Sequence, residues 1–354
     1  MTPRTDRRTF LKTVAQGSFA TGIGLAFPAL ASRNFAYAQG AQNLNPPIPE
    51  NEKALHEIKA EPWMKVDDRN VFLKGMAFDR KNNLTVIAAF PGADASKGLA
   101  GRTDRRILSL TPDKQINTLI QQNKYRFVDH VLHKDGRIFI ACLSGELLVA
   151  NPDGSDLKPV AARVNGKPQA PSDLTFDSKG NLYVTDFTGN VSNPTGGVYR
   201  CSPGLQSVEP FGPNLVTPNG IAFSPDEKSL WVACSIAKKL FHITLDKPLG
   251  AVTKAEPVYD LSGPGGDGIR VDMRGNVYLA MNFQGRILVF DKNAKPIATV
   301  LMPGRERGAL LSTTNIEFKP GTNEAYAVAA GDSTGTWIYK FKAFAKGAPL
   351  YSHQ

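Results

Sequence analysis

The sequence predicts an all-β fold, a six-bladed β-propeller with about four antiparallel strands per blade. Three observations carry that expectation: a pattern that recurs six times, a period close to 50 residues, and turn residues that close hairpins inside each copy. Each copy reads as a short polar turn, an apolar run of three to five residues, an Asp-x-x-Gly-Asn type turn and a second apolar run. The first runs start at Lys74, Val128, Ser172, Asn219, Asp267 and Asn315, separated by 54, 44, 47, 48 and 48 positions. Their partners fall at 84–90, 137–143, 181–186, 230–234, 276–280 and 325–329. A helical solenoid would show a 3.6-residue apolar period within each copy, and none is present.

The turns account for the pairing. Asp135-Gly136, Lys179-Gly180-Asn181 and Arg274-Gly275-Asn276 put Gly or Asn where a hairpin needs positive φ. A second hairpin follows the first, as in Gly196-Gly197-Val198-Tyr199-Arg200 and Arg286-Ile287-Leu288-Val289-Phe290-Asp291, which brings each blade to about four strands. Outside the strands, the sequence offers only a turn around residues 52–58.

Residues 1–38 read as an export signal. Arg7 and Arg8 stand in Asp6-Arg7-Arg8-Thr9-Phe10-Leu11-Lys12, the spacing of a twin-arginine (Tat) signal. A mildly apolar, Gly-containing run over 14–31 follows, and Ala36-Tyr37-Ala38 forms an A-x-A cleavage site before Gln39. Residues 39–53, with three prolines between 40 and 49, read as a flexible tether, and 54–354 as the propeller. The expected location is the periplasm, or the medium beyond it, reached through the Tat export machinery. After cleavage no segment approaches the ~18 continuous apolar residues of a membrane span.

Loss of the signal removes five basic residues and one acid, lowering the formal net charge from +10 to +6. The remaining surplus is dispersed and forms no basic run, which argues against nucleic acid as a partner. Cys142, Cys201 and Cys234 are odd in number and match no metal knuckle, so buried or free thiols are expected, with one disulfide left open.

In a propeller the innermost strand of each blade begins at one mouth of the central channel. Lys74, Val128, Ser172, Asn219, Asp267 and Asn315 (or Thr314) should therefore form a ring, bringing Lys, Ser, Asn and Asp to matched positions. Either these residues cap strand ends or they build a site, and four polar types at one offset favour a site. Asp173 stands beside Ser172. Asp129 and His130 follow the ring position of the second copy; His130 reads as a proton shuttle or as a packed strand residue.

The segments Pro218-Asn219-Gly220-Ile221-Ala222-Phe223-Ser224-Pro225-Asp226 and Gly266-Asp267-Gly268-Ile269-Arg270-Val271-Asp272 resemble the gluconolactonase, senescence-marker-protein and luciferin-regenerating-enzyme superfamily. Ala60-Glu61-Pro62-Trp63, Thr185-Asp186-Phe187-Thr188-Gly189, Gln284-Gly285-Arg286-Ile287-Leu288-Val289-Phe290 and Pro320-Gly321-Thr322-Asn323 are similar to its drug-responsive lactonase branch. The resemblance runs from about residue 60 to the C-terminus. It implies hydrolysis of lactones with one divalent cation, usually calcium, at the channel centre. Of the ligands it implies, Asn219 and Asp267 are present. Ser172 stands where an Asp or Asn would be, and Lys74 replaces a Glu in Leu73-Lys74-Gly75-Met76. An ammonium within ~4 Å of a dication costs on the order of several kcal/mol at an effective dielectric near 20.

The sequence thus supports three readings. The first is a periplasmic lactonase-like hydrolase acting on a small sugar lactone or related cyclic ester. In it Asp267 and Lys74 are catalytic, Ser172, Asn219, Asp173 and His130 bind the small-molecule substrate, and Asn219 and Asp267 are the metal ligands that Lys74 opposes. The second is a non-catalytic propeller in which Lys74 and Asp267 plug the channel. The third is a metal-independent enzyme of other chemistry, as in the strictosidine-synthase-like propellers.

Overall fold

The computed structural model describes residues 47–354 except 70, 91–103, 162, 165, 166, 169, 206, 310, 311, 333 and 334. The export signal expected over 1–38 and the first part of the expected tether, 39–46, lie outside the described residues.

Six sheets follow one another as blades, each built on four antiparallel strands; in the first five these four follow in hairpin succession. Their innermost strands are Phe72–Phe78, Phe127–Leu132, Pro171–Phe176, Pro218–Phe223, Gly266–Val271 and Ser312–Phe318. The six repeats read from the sequence are these blades in order. Second strands are buried on both faces because each sheet packs between two others. On Leu84–Ala89 of blade 1, Leu84, Val86 and Ala88 join a core with Tyr326 and Val328 of blade 6. Ile87, pointing the other way, joins Phe127, Ile138 and Ile140 of blade 2. Each such Leu, Ile or Phe contributes about 1.5–3 kcal/mol by leaving water.

The recurrent Asp-x-x-x-Asn turn has a specific mechanism. In blade 3, Asp177 Oδ1 accepts the backbone N–H groups of Lys179 and Asn181 at 2.9 Å each, while Asn181 Nδ2 donates to Asp177 Oδ2 at 2.7 Å. Gly180 takes φ +83°, which the turn requires and a β-carbon would resist. Asp79 with Asn83 and Asp272 with Asn276 repeat the bonding.

The ring is closed by the start of the chain. Glu61–Asp67 pairs antiparallel with Gly335–Lys342 as the outermost strand of blade 6. His56–Lys59 adds a fifth, parallel strand to blade 5 beside Pro296–Leu301. The expectation of a free tether as far as residue 53 is corrected at its end. Glu50–Glu52 forms a 3₁₀ turn, and Glu52, 1% exposed, accepts from Arg286 Nη1 at 2.5 Å and from the Tyr259 hydroxyl at 2.8 Å. A fully buried guanidinium needs a carboxylate, and the segment before the first strand supplies it.

The C-terminal residues cross the end of the channel opposite the inner-strand starts. Residues 349–352 cover a cavity of about 80 Å³ lined by Phe176, Arg270 and Glu317 among others. Arg80 holds that tail by donating to the Ser352 and Gln354 carbonyl oxygens at 2.9 and 2.7 Å. The three cysteines are free and buried. Among the described residues no helix is long and apolar enough to cross a membrane.

Candidate active site at the channel mouth

Every blade carries a register shift between its first two strands at the same place, the expected ring. The shifts fall between Lys74 and Met76, Phe127 and Asp129, Pro171 and Leu174, Pro218 and Ile221, Gly266 and Ile269, and Thr313 and Asn315. A bulge bends a strand and re-aims side chains that would otherwise alternate between faces. Six bulges in register mark the ring at the starts of the inner strands, where Lys74, Ser172, Asn219 and Asp267 stand.

Four of the expected residues meet there. Lys74 Nζ lies 3.1 Å from Asp267 Oδ1, with the residues 9% and 3% exposed. The pair is a buried ion pair, with the ammonium the charged group set against Oδ1. Ser172 Oγ donates to Asn219 Oδ1 at 2.9 Å, and both residues are buried. Burial pushes the Asp267 carboxyl up from its ordinary range, and the Lys74 charge beside it draws it part of the way back.

Three residues that the sequence reading missed complete the mouth. Asn219 Nδ2 donates to Ser235 Oγ at 3.1 Å, and Ser235 Oγ donates to the Gly266 carbonyl at 2.7 Å. Asn282 Nδ2 donates to Asp267 Oδ2 at 3.2 Å, and Ser312 Oγ donates to Asn282 Oδ1 at 3.2 Å. A signal for two of them was present: Ser235 and Asn282 each directly follow the second strand of a blade, Ser229–Cys234 and Val277–Met281. Backbone strain gathers beside them. Thr217, which is β-branched, has φ +47°, and Phe283 has φ +61°. Such residues are rare in the left-handed region and concentrate at sites that need exact placement.

Two residues expected to touch substrate lie elsewhere. Asp173 is one layer below the mouth, its Oδ1 accepting from Leu174 N at 2.7 Å and its Oδ2 from Ile221 N at 3.0 Å, so it ties blade 3 to blade 4. His130 is fully buried between blades 1 and 2. Thr85 Oγ1 donates to the Ala77 carbonyl at 2.8 Å and so must accept from His130 Nε2 at 2.7 Å. Burial lowers the imidazole to about 3, which favours the neutral ring, and its full burial keeps it from the mouth. Beneath the mouth the axis is filled by charge. Asp129 is pushed well up by burial and by the Asp173 carboxylate, and Arg270 Nε donates to Glu317 Oε2 at 2.9 Å.

The residues do not fit a calcium ion held as the resemblance implies. Calcium takes six to eight oxygens, usually with two or more carboxylates. The ring offers one carboxylate, Asp267, with an ammonium against it. Among the described residues no group of three or more His, Cys, Asp and Glu side chains could hold a metal.

A six-bladed propeller with a polar ring at its bulged inner strands defines a class, and the comparisons agree with it. The SMP-30/gluconolactonase/LRE-like region matches residues 103–315, and the chain belongs to that family. It is 37% identical over 330 residues to lactonase drp35 of Staphylococcus saprophyticus, covering 89% of this chain and 96% of that one. A gluconolactonase of Xanthomonas campestris has the same fold, with a TM-score of 0.62 and 18% identity over 78% of this chain and 88% of that one. So has regucalcin of Agrobacterium tumefaciens, a calcium-binding protein, with a TM-score of 0.64 and 18% identity over 84% and 99%.

Proposed function

We propose that this protein is a lactone hydrolase of the periplasm that opens a small sugar lactone or a related cyclic ester. The observation that carries the reading is the buried ion pair of Lys74 with Asp267 at the mouth, where the ammonium lies 3.1 Å from a carboxylate oxygen. The lactonase relative supports the reaction class, and the twin-arginine segment supports the location.

The chemistry follows from those two groups. The Asp267 carboxylate takes a proton from water as the water oxygen bonds to the lactone carbonyl carbon, and the carbonyl electron pair moves onto its oxygen. Lys74 stabilises that oxyanion, in a site where a preorganised charge acts with little solvent screening. The oxyanion then re-forms the carbonyl, the ring C–O bond breaks, and Asp267 returns its proton to the departing alkoxide. The product is an open hydroxy acid. Ser172 and Asn219 offer oxygen lone pairs to substrate hydroxyls, which suits a polyhydroxylated ring.

A panel of five- and six-membered lactones, assayed with the purified protein, tests the reading. Turnover of at least one sugar lactone is expected, falling about 10²–10⁴-fold in Asp267→Asn. Absence of turnover across the panel, or full activity in Asp267→Asn, would overturn it.

A further inference from the structure

The hydrogen-bond directions at the mouth can be assigned in full. Ser235 gives its hydroxyl proton to the Gly266 carbonyl, so it accepts from Asn219 Nδ2. That turns Asn219 Oδ1 toward Ser172, whose own hydroxyl proton is spent on it. Asn282 Oδ1 accepts from Phe283 N at 3.0 Å and from Ser312 Oγ, which leaves its Nδ2 for Asp267 Oδ2 and leaves Asp267 Oδ1 to face the Lys74 ammonium. Ser172 Oγ, Asn219 Oδ1 and Asp267 Oδ1 are therefore three neighbouring oxygens presenting lone pairs. A row of acceptors around a buried carboxylate is a cation-binding set, and here Lys74 Nζ sits against it.

We infer that Lys74 is this protein's own resident cation: its ammonium occupies, by a covalent tether, the position for which the ring is built to take a metal ion, and that ammonium is what keeps a divalent cation out. Asp267, 3% exposed, cannot remain charged without a neighbouring cation, so removing Lys74 must protonate the carboxyl or recruit a replacement. Lys74→Glu changes the local charge by two units and adds oxygen ligands. Lys74→Ala leaves a space the length of a short alkylammonium beside the carboxylate.

The inference concerns the composition of the ring and stands apart from whether lactones are substrates, so the test reads binding and melting. Calcium is titrated calorimetrically into the natural protein, Lys74→Glu and Lys74→Ala, and melting is followed with calcium and with propylammonium. Lys74→Glu is expected to bind calcium at least a hundredfold more tightly than the natural protein and to melt higher in its presence. Lys74→Ala is expected to regain melting temperature with propylammonium and not with equimolar tetramethylammonium, which is too bulky for the space. Equal calcium affinity in the natural protein and Lys74→Glu would overturn the inference. If Lys74→Glu does not fold, Lys74→Ala decides alone: a folded variant that responds to neither calcium nor propylammonium would equally overturn it.

Discussion

Asn315 of blade 6 donates to Asp129 of blade 2 at 2.9 Å, reaching past blade 1 across the channel axis. The reach exists because the residue of blade 1 packed against Asp129 is Gly75. Its backbone is at φ +56°, and a β-carbon there would lie 2.7 Å from Asp129 Oδ1 and 2.9 Å from Asp129 Cα. The inner strands of the two blades that flank blade 1 are thereby joined by a buried hydrogen bond below the mouth.

Gly75→Ala should therefore destabilise the protein by about 2–3 kcal/mol, from left-handed strain together with a clash against backbone. Urea unfolding of the two proteins measures it. A loss below ~0.5 kcal/mol would mean that Asp129 can move aside and that the axial bond does not hold the blades.

Glu52 neutralises Arg286, which is 0% exposed, although 234 residues separate them. Glu52→Ala leaves a buried guanidinium unpaired and should cost about 3–5 kcal/mol. Combining Glu52→Leu with Arg286→Met should recover most of that loss, because the apolar pair removes both desolvation penalties. Denaturant midpoints of the single and double variants check both statements.

The activity should depend on pH through Asp267. Burial raises its carboxyl and Lys74 lowers it part of the way back, so the catalytic carboxylate form is lost as pH falls through the folded value. Lys74→Met removes the lowering influence, so the acid limb of kcat/KM should move to higher pH while the maximal rate falls about 10²–10³-fold. In stability the sign is opposite. A carboxyl raised on folding binds more protons in the native state, so it favours the fold at low pH, and that contribution fades as pH rises from the unfolded value toward the folded one. An acid limb unmoved in Lys74→Met would separate the two groups.

Export should require both arginines of the signal. Replacing Arg7 and Arg8 together by lysine is expected to leave the precursor in the cytoplasm, read by fractionation and immunoblotting. Undiminished periplasmic protein from the double variant would count against the twin-arginine route.

The blades were legible in the sequence because each is a local object. Asp177 and Asn181 close a turn within five residues, the apolar runs alternate beside it, and six copies at one spacing announce a closed ring. The register of Lys74, Ser172, Asn219 and Asp267 was legible for the same reason, since equal offsets in equal repeats must meet at one axis. Tertiary structure decided what those offsets could not carry. His130 and Asp129 are neighbours in the chain, and as successive residues of a strand one faces the core and the other the axis; the bulge before Asp129 decides which is which. Asn282 and Ser235 reach Asp267 and Asn219 from the ends of second strands, a convergence that depends on how neighbouring blades are inclined. Glu52 looked like part of a tether because its partner, Arg286, lies in another blade. Local pattern specifies strands and turns through short-range bonding, whereas a buried charge is placed by whichever distant group can neutralise it.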